Sequence, residues 1–126
     1  MSRPPIFTSV HLSTGIEPVH EVVHDHHMTL TFKPSDQVRA ATPHGAPVSV
    51  RVVGMVSTSA VQAAVVEIVS GPIDASWVAS GLPHVTISCA EGVRPVESVH
   101  AILRAQSDGT VQPVDGPVIH GRIVAV

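Results

Sequence analysis

Two short segments repeat one chemistry-bearing pattern: His27-Met28-Thr29-Leu30 and His84-Val85-Thr86-Ile87. On an extended strand side chains alternate between faces, so each imidazole shares a face with the threonine two residues on. The apolar residues take the other face. Segments so far apart in sequence can meet only through the fold. Facing imidazoles make an acid–base pair, one neutral to take a proton from water, the other protonated to give one to a leaving oxygen. Two hydroxyls beside them would donate to non-bridging phosphate oxygens, where charge grows in the transition state. Such a site needs no metal and no cofactor. One His-x-Thr is expected by chance in a chain with nine histidines. Two copies, each with apolar residues in the gap and after the threonine, are more specific.

Neighbouring residues extend the pattern. Lys33, the only lysine, sits just past the first motif, where its ammonium would neutralise a phosphate. Ser88 shares the face of His84 and Thr86 and adds a third hydroxyl. Cys89 points with the apolar set and reads as a small buried residue. A competing use of imidazole lies nearby. His24 and His26 form an H-x-H pair able to hold zinc, copper or iron, but the nearest downstream acid, Asp36, lies beyond Pro34 and is poorly placed as a further ligand. No G-x-S-x-G elbow and no Gly-rich phosphate loop occurs.

The elements that must position these residues read as strands with a few short helices. Pro4 and Pro5 make residues 1–16 an irregular lead-in. The stretch from Val19 to Phe32 becomes strand-like toward its end. Ser35 and Asp36 open a short helix through Ala41. Val48–Ser57 and Val61–Val69 form a hairpin ended by Gly71-Pro72. Asp74–Ser80 has room for two helical turns closed by Gly81. Pro83–Ala90 is a strand followed by a turn at Glu91-Gly92. Pro95–Ala105 is a helix with Val96, Val99, Ile102 and Leu103 at helical spacing, broken by Gly109. Val118–Val126 closes the chain as a strand. The sum is a single compact α+β domain over residues 1–126, with antiparallel strands and the two His-x-Thr strands facing a central cleft.

Composition narrows the partners. At 126 residues the chain fits one domain, and 44% apolar residues can fill its core. The net charge is -3, with six arginines and no basic run, which excludes a broad footprint on duplex DNA. Aromatic residues are 2% of the chain (Phe7, Phe32 and Trp77), too few for a platform stacking successive bases. One cysteine rules out an internal disulfide and a thiolate zinc site. No stretch reaches the roughly 20 apolar residues of a membrane span, and no secretory signal opens the chain. A cytoplasmic protein is expected.

The paired H-x-T-hydrophobic motifs resemble those of the 2H phosphoesterase superfamily. Pro83–Ile87 with Ala90-Glu91-Gly92-Val93, Pro95 and Pro117-Val118-Ile119-His120-Gly121 is similar to the cyclic phosphodiesterase domain of plant and fungal-type tRNA ligases. His27–Leu30 followed by Lys33 and Ser35 resembles the first motif of that domain. The resemblance spans roughly residues 24–126, with about two dozen specific positions. It implies metal-independent opening of a 2',3'-cyclic phosphate on a nucleotide or RNA end. His27 and His84 would be the acid–base pair, Thr29 and Thr86 would contact the phosphate, and a 2'-phosphate would be the product. Cyclic oligonucleotide signals are an alternative substrate. A metal-binding β-rich protein and a non-catalytic nucleotide-binding module are the rival classes.

Overall fold

The computed structural model describes residues 7–12, 15–23, 26–32, 35–73, 78 and 81–125. In chain order the elements are β1 (Phe7–Leu12), β2 (His27–Phe32), α1 (Asp36–Ala41), β3 (Pro47–Ser57), β4 (Val61–Ser70), β5 (His84–Cys89), α2 (Glu97–Asp108), β6 (Gln112–Pro113) and β7 (Val118–Val124). The strands form one sheet in the order β2-β1-β7-β3-β4-β5, with β6 paired to β3. Every pairing is antiparallel. The result is a β-rich α+β domain whose sheet curls until its two ends, β2 and β5, lie side by side.

Strand alternation explains the interior. Val10 and Leu12, Met28 and Leu30, Val48, Val50 and Val52, Ala64 and Val66, Val85 and Ile87, and Ile119 and Ile123 form one buried cluster. These are the alternate residues of six strands, and their β-branched side chains suit a curved, closely packed sheet. Gly121 lets β7 approach β1: a Cβ there would collide with the His11 backbone carbonyl and the Leu12 side chain. A smaller cluster of Val56, Ala63, Ile102 and Ala105 seats α2 on the outside of β3 and β4. The bulge between Val52 and Gly54 supplies the reversal, turning Val56 outward after Val48, Val50 and Val52 point in.

Several expectations need revision. The lead-in is not irregular throughout, because Phe7–Leu12 forms β1 between β2 and β7. Helix α2 runs to Asp108 and buries Ser98, Ile102 and Ala105; Val96 and Leu103 are exposed. Small side chains let the helix lie close to Ala63, so the packed face is not the one with the largest apolar residues. The enclosed space is apolar core, so the expected cleft is not inside the sheet. Other readings hold. Val38 N–H donates to Ser35 Oγ at 3.2 Å, capping α1, and Gly109 ends α2 in the left-handed region at φ 69°. The helix expected at Asp74–Ser80 falls, apart from Val78, outside the described residues. Among the described residues no helix is long and apolar enough to cross a membrane.

Candidate functional site at the closing seam

The seam where the sheet closes is built by β5, β2 and the segment before β2. Val22 and Cys89 exchange backbone hydrogen bonds, Val22 N–H to Cys89 O at 3.1 Å and Cys89 N–H to Val22 O at 2.8 Å. Next along the edge, His26 Nε2–H donates to Ile87 O at 3.2 Å. An open β5 edge would leave these backbone groups unpaired, so the imidazole continues what the bridge begins. From there β2 runs antiparallel to β5, since five successive antiparallel steps separate them in the sheet.

The two motifs meet on one side of this seam. Met28, Leu30, Val85 and Ile87 all point into the core. Their alternates, His27, Thr29, His84 and Thr86, therefore face outward from adjoining strands, arranged head to tail. All four are half-buried. His84 Nδ1–H donates to Leu82 O at 2.7 Å. A carbonyl only accepts, so the neutral ring carries its proton on Nδ1 and keeps the Nε2 lone pair. Burial pushes the His84 pKa below its ordinary value, and the Leu82 hydrogen bond offsets part of that shift. Thr86 Oγ1 lies 2.8 Å from the hydroxyl of Ser98, in the first turn of α2, so the helix start flanks the second motif. Across the seam, the His27 ring stacks on His11 of β1, with centroids 6.0 Å apart and planes inclined by 28°.

Ser88 has a different place from the one expected. It is fully buried, and its hydroxyl donates to Gln62 Oε1 at 2.6 Å while accepting from His20 N–H at 3.1 Å. Gln62 also accepts from Val19 N–H at 2.9 Å and donates through Nε2 to Glu17 O at 2.9 Å. Together they hold residues 15–23 as a strap across β4 and β5, which turns Ser88 into an anchor and takes it away from any ligand. Glu21 secures the far end by accepting from Glu91 N–H at 3.1 Å. Lys33 and His24 lie outside the described residues. Among the described residues no three His, Cys, Asp or Glu side chains converge as a metal site.

Sequence reasoning missed His11, Ser98, Gln62 and Arg122. His11 alternates with Val10 and Leu12, a strand signal hidden by reading the lead-in as irregular. Ser98 sits on the small-residue face of α2, and Gln62 lies in an otherwise apolar strand. No protein-family model matches the chain, and neither a curated protein nor a solved structure matches it.

Proposed function

We propose that this chain is a metal-independent cyclic phosphodiesterase of the 2H phosphoesterase type, opening a 2',3'-cyclic phosphate on a nucleotide or RNA end in the cytoplasm. The observation that carries this reading is the shared outer face of the seam, where His27 and Thr29 adjoin His84 and Thr86 on antiparallel neighbours. His84 is the general base. Its Nδ1 proton is committed to Leu82 O, and burial favours the neutral ring, so Nε2 takes a proton from water as the water oxygen bonds to phosphorus. The bond from phosphorus to the ribose 3' oxygen breaks, and His27 delivers a proton to that oxygen. The product is a 2'-phosphate. Thr29 and Thr86 donate to the non-bridging oxygens, Thr86 turning its hydroxyl hydrogen to the phosphate while Ser98 Oγ–H donates to Thr86 Oγ1.

The test is turnover of the four 2',3'-cyclic mononucleotides in EDTA, with the product identified by phosphorus NMR. His27→Ala and His84→Ala should each lower kcat/KM by about 10²–10⁴, the usual worth of a positioned acid or base. Turnover that persists in both variants, or its absence in the parent protein, removes the reading.

A further inference from the structure

We infer that the outer face of β1 and β7 holds a second phosphate of the substrate, bound by His11 and Arg122 beside the reacting one. This deepens the phosphodiesterase reading and rests on it for the place of the first phosphate. In the sheet His27 stands opposite His11, and His11 stands opposite Arg122. Directly opposed residues project from the same face. Val10, Leu12, Met28, Ile119 and Ile123 fix the inner face, so this row of three points outward with the motifs.

The row therefore continues the candidate site sideways, from β5 and β2 across β1 to β7. From His27 to Arg122 is two strand spacings, about 10 Å between backbones. Arg122 is one strand spacing from His11, and its guanidinium leans to Gly45 on the β3 flank of β7. His11 and Arg122 are both exposed. Arg122 Nη1 donates to Gly45 O at 3.0 Å. That bond takes one of five N–H donors and steadies the fork for an anion.

Charge on this face is segregated. The chain as a whole is acidic, yet β1, β2, β3 and β7 contain no aspartate or glutamate. One row further along the strands, His120 stands opposite Ser49 and its Nδ1 lies 2.7 Å from the serine hydroxyl. The nearest carboxylate on the neighbouring strand, Glu67, is occupied by Arg51 at 3.0 Å. On β1 and β7 themselves an anion meets only basic or neutral side chains, where a negative patch would have opposed it.

The chemistry recognised is a phosphate attached to the same nucleotide on its 5' side. It has two sources: a terminal 5'-phosphate on a mononucleotide, or the next phosphodiester of an RNA strand. The first measurement needs no turnover. Calorimetric titration with adenosine 2'-monophosphate and adenosine 2',5'-bisphosphate should show the bisphosphate binding about tenfold tighter, the scale of one charge-assisted hydrogen-bond set. Arg122→Gln and His11→Asn should each reduce that ratio toward one. Equal binding of the two ligands by the parent protein overturns the subsite, whatever the enzyme assay shows.

Turnover then separates the sources. Three substrates are compared: adenosine 2',3'-cyclic phosphate, its 5'-phosphorylated form, and the dinucleotide ending in the same cyclic phosphate. A lower KM for the second than the third assigns the site to a 5'-phosphate monoester. The reverse assigns it to an RNA strand. Equal values for all three overturn the subsite while leaving the phosphodiesterase reading intact. Tighter bisphosphate binding without any turnover does the opposite.

Discussion

Nine histidines in an otherwise weakly charged chain invite a catalytic or metal reading, and three of the described ones have a plainer use. His20 Nε2–H donates to Thr58 O at 2.8 Å, His26 to Ile87 O, and His44 Nδ1 accepts Ala125 N–H at 3.1 Å. These are long-range ties from an imidazole to backbone. His84 differs because its second nitrogen stays on the motif face. Its lowered pKa has two consequences. In catalysis, kcat/KM should fall on acidification with a midpoint below 6.5, the ordinary value, because only neutral His84 accepts the proton. A midpoint at or above 6.5 would remove His84 as the base. In stability, the folded protein binds this proton less readily than the unfolded chain. The contribution is complete above 6.5 and is lost as pH falls through the folded-state value. Thermal melts at pH 7.5 and pH 5 should show a smaller loss for His84→Asn than for the parent protein. Cys89 is fully buried and its thiol is pushed up by desolvation. A disulfide reagent should therefore label it only at the rate of unfolding.

At the scale of elements, the strap over β4 and β5 decides how the second motif is framed. It is held by polar groups that are themselves buried, so each loss leaves a partner unsatisfied. Gln62→Ala should cost about 1–3 kcal/mol. It should also free residues 15–23 to proteolysis before global unfolding, which limited glutamyl-protease digestion at Glu21 will show. Equal protease resistance in Gln62→Ala would mean the strap is held by something other than this network. The same element shows what was legible in sequence. The strands were legible in Val48–Ser57 and Val61–Val69 as β-branched runs, and in Pro83–Ala90 because its apolar residues repeat with period two. The face of Ser88 was not legible: a bulge at Ile87 sets Ser88 opposite Gln62 and Thr86 opposite Ala63, so Ser88 leaves the face of His84 and Thr86 and is buried. Burial came from a strap contributed by distant residues, which local pattern does not encode. Likewise α2 was legible as a helix, yet its packed face was not. Its position depends on Ala63 and Val56, reversed by a bulge, and not on where its own large apolar residues fall. β1 was missed because two prolines dominate the lead-in, while the pairing that makes Phe7–Leu12 a strand lies on β2 and β7.

Across the whole molecule, closure of the sheet connects stability to the candidate chemistry. Its interior is apolar, so function is confined to the outside, and that outside is divided. Helix α2 covers the outside of β3 and β4, while the strap bonds Gln62 and Ser88 on the opposite, inward face and packs Ile16 against the core. The β2, β1 and β7 strands carry exposed His11, His120 and Arg122 and no acidic residue. The two motifs adjoin only because β5 and β2 meet at the border between these halves. Among the described residues that border is joined by the backbone bridge at Val22 and Cys89 and then by the His26 imidazole. Central β3, by contrast, is paired along both edges. Local opening should begin where backbone pairing is sparsest. In hydrogen exchange, the Cys89 amide should be protected, yet less so than amides of β3 paired with β4. Val22→Pro removes the N–H that donates to Cys89 O. It should expose the Cys89 amide and lower kcat/KM toward cyclic phosphates, with protection in the β3–β4 hairpin retained. Loss of protection everywhere would mean that the seam and the core open as one unit. Unchanged turnover with a fully exchanging Cys89 amide would detach the motifs' alignment from closure of the sheet, and with it the argument that places the chemistry at the seam.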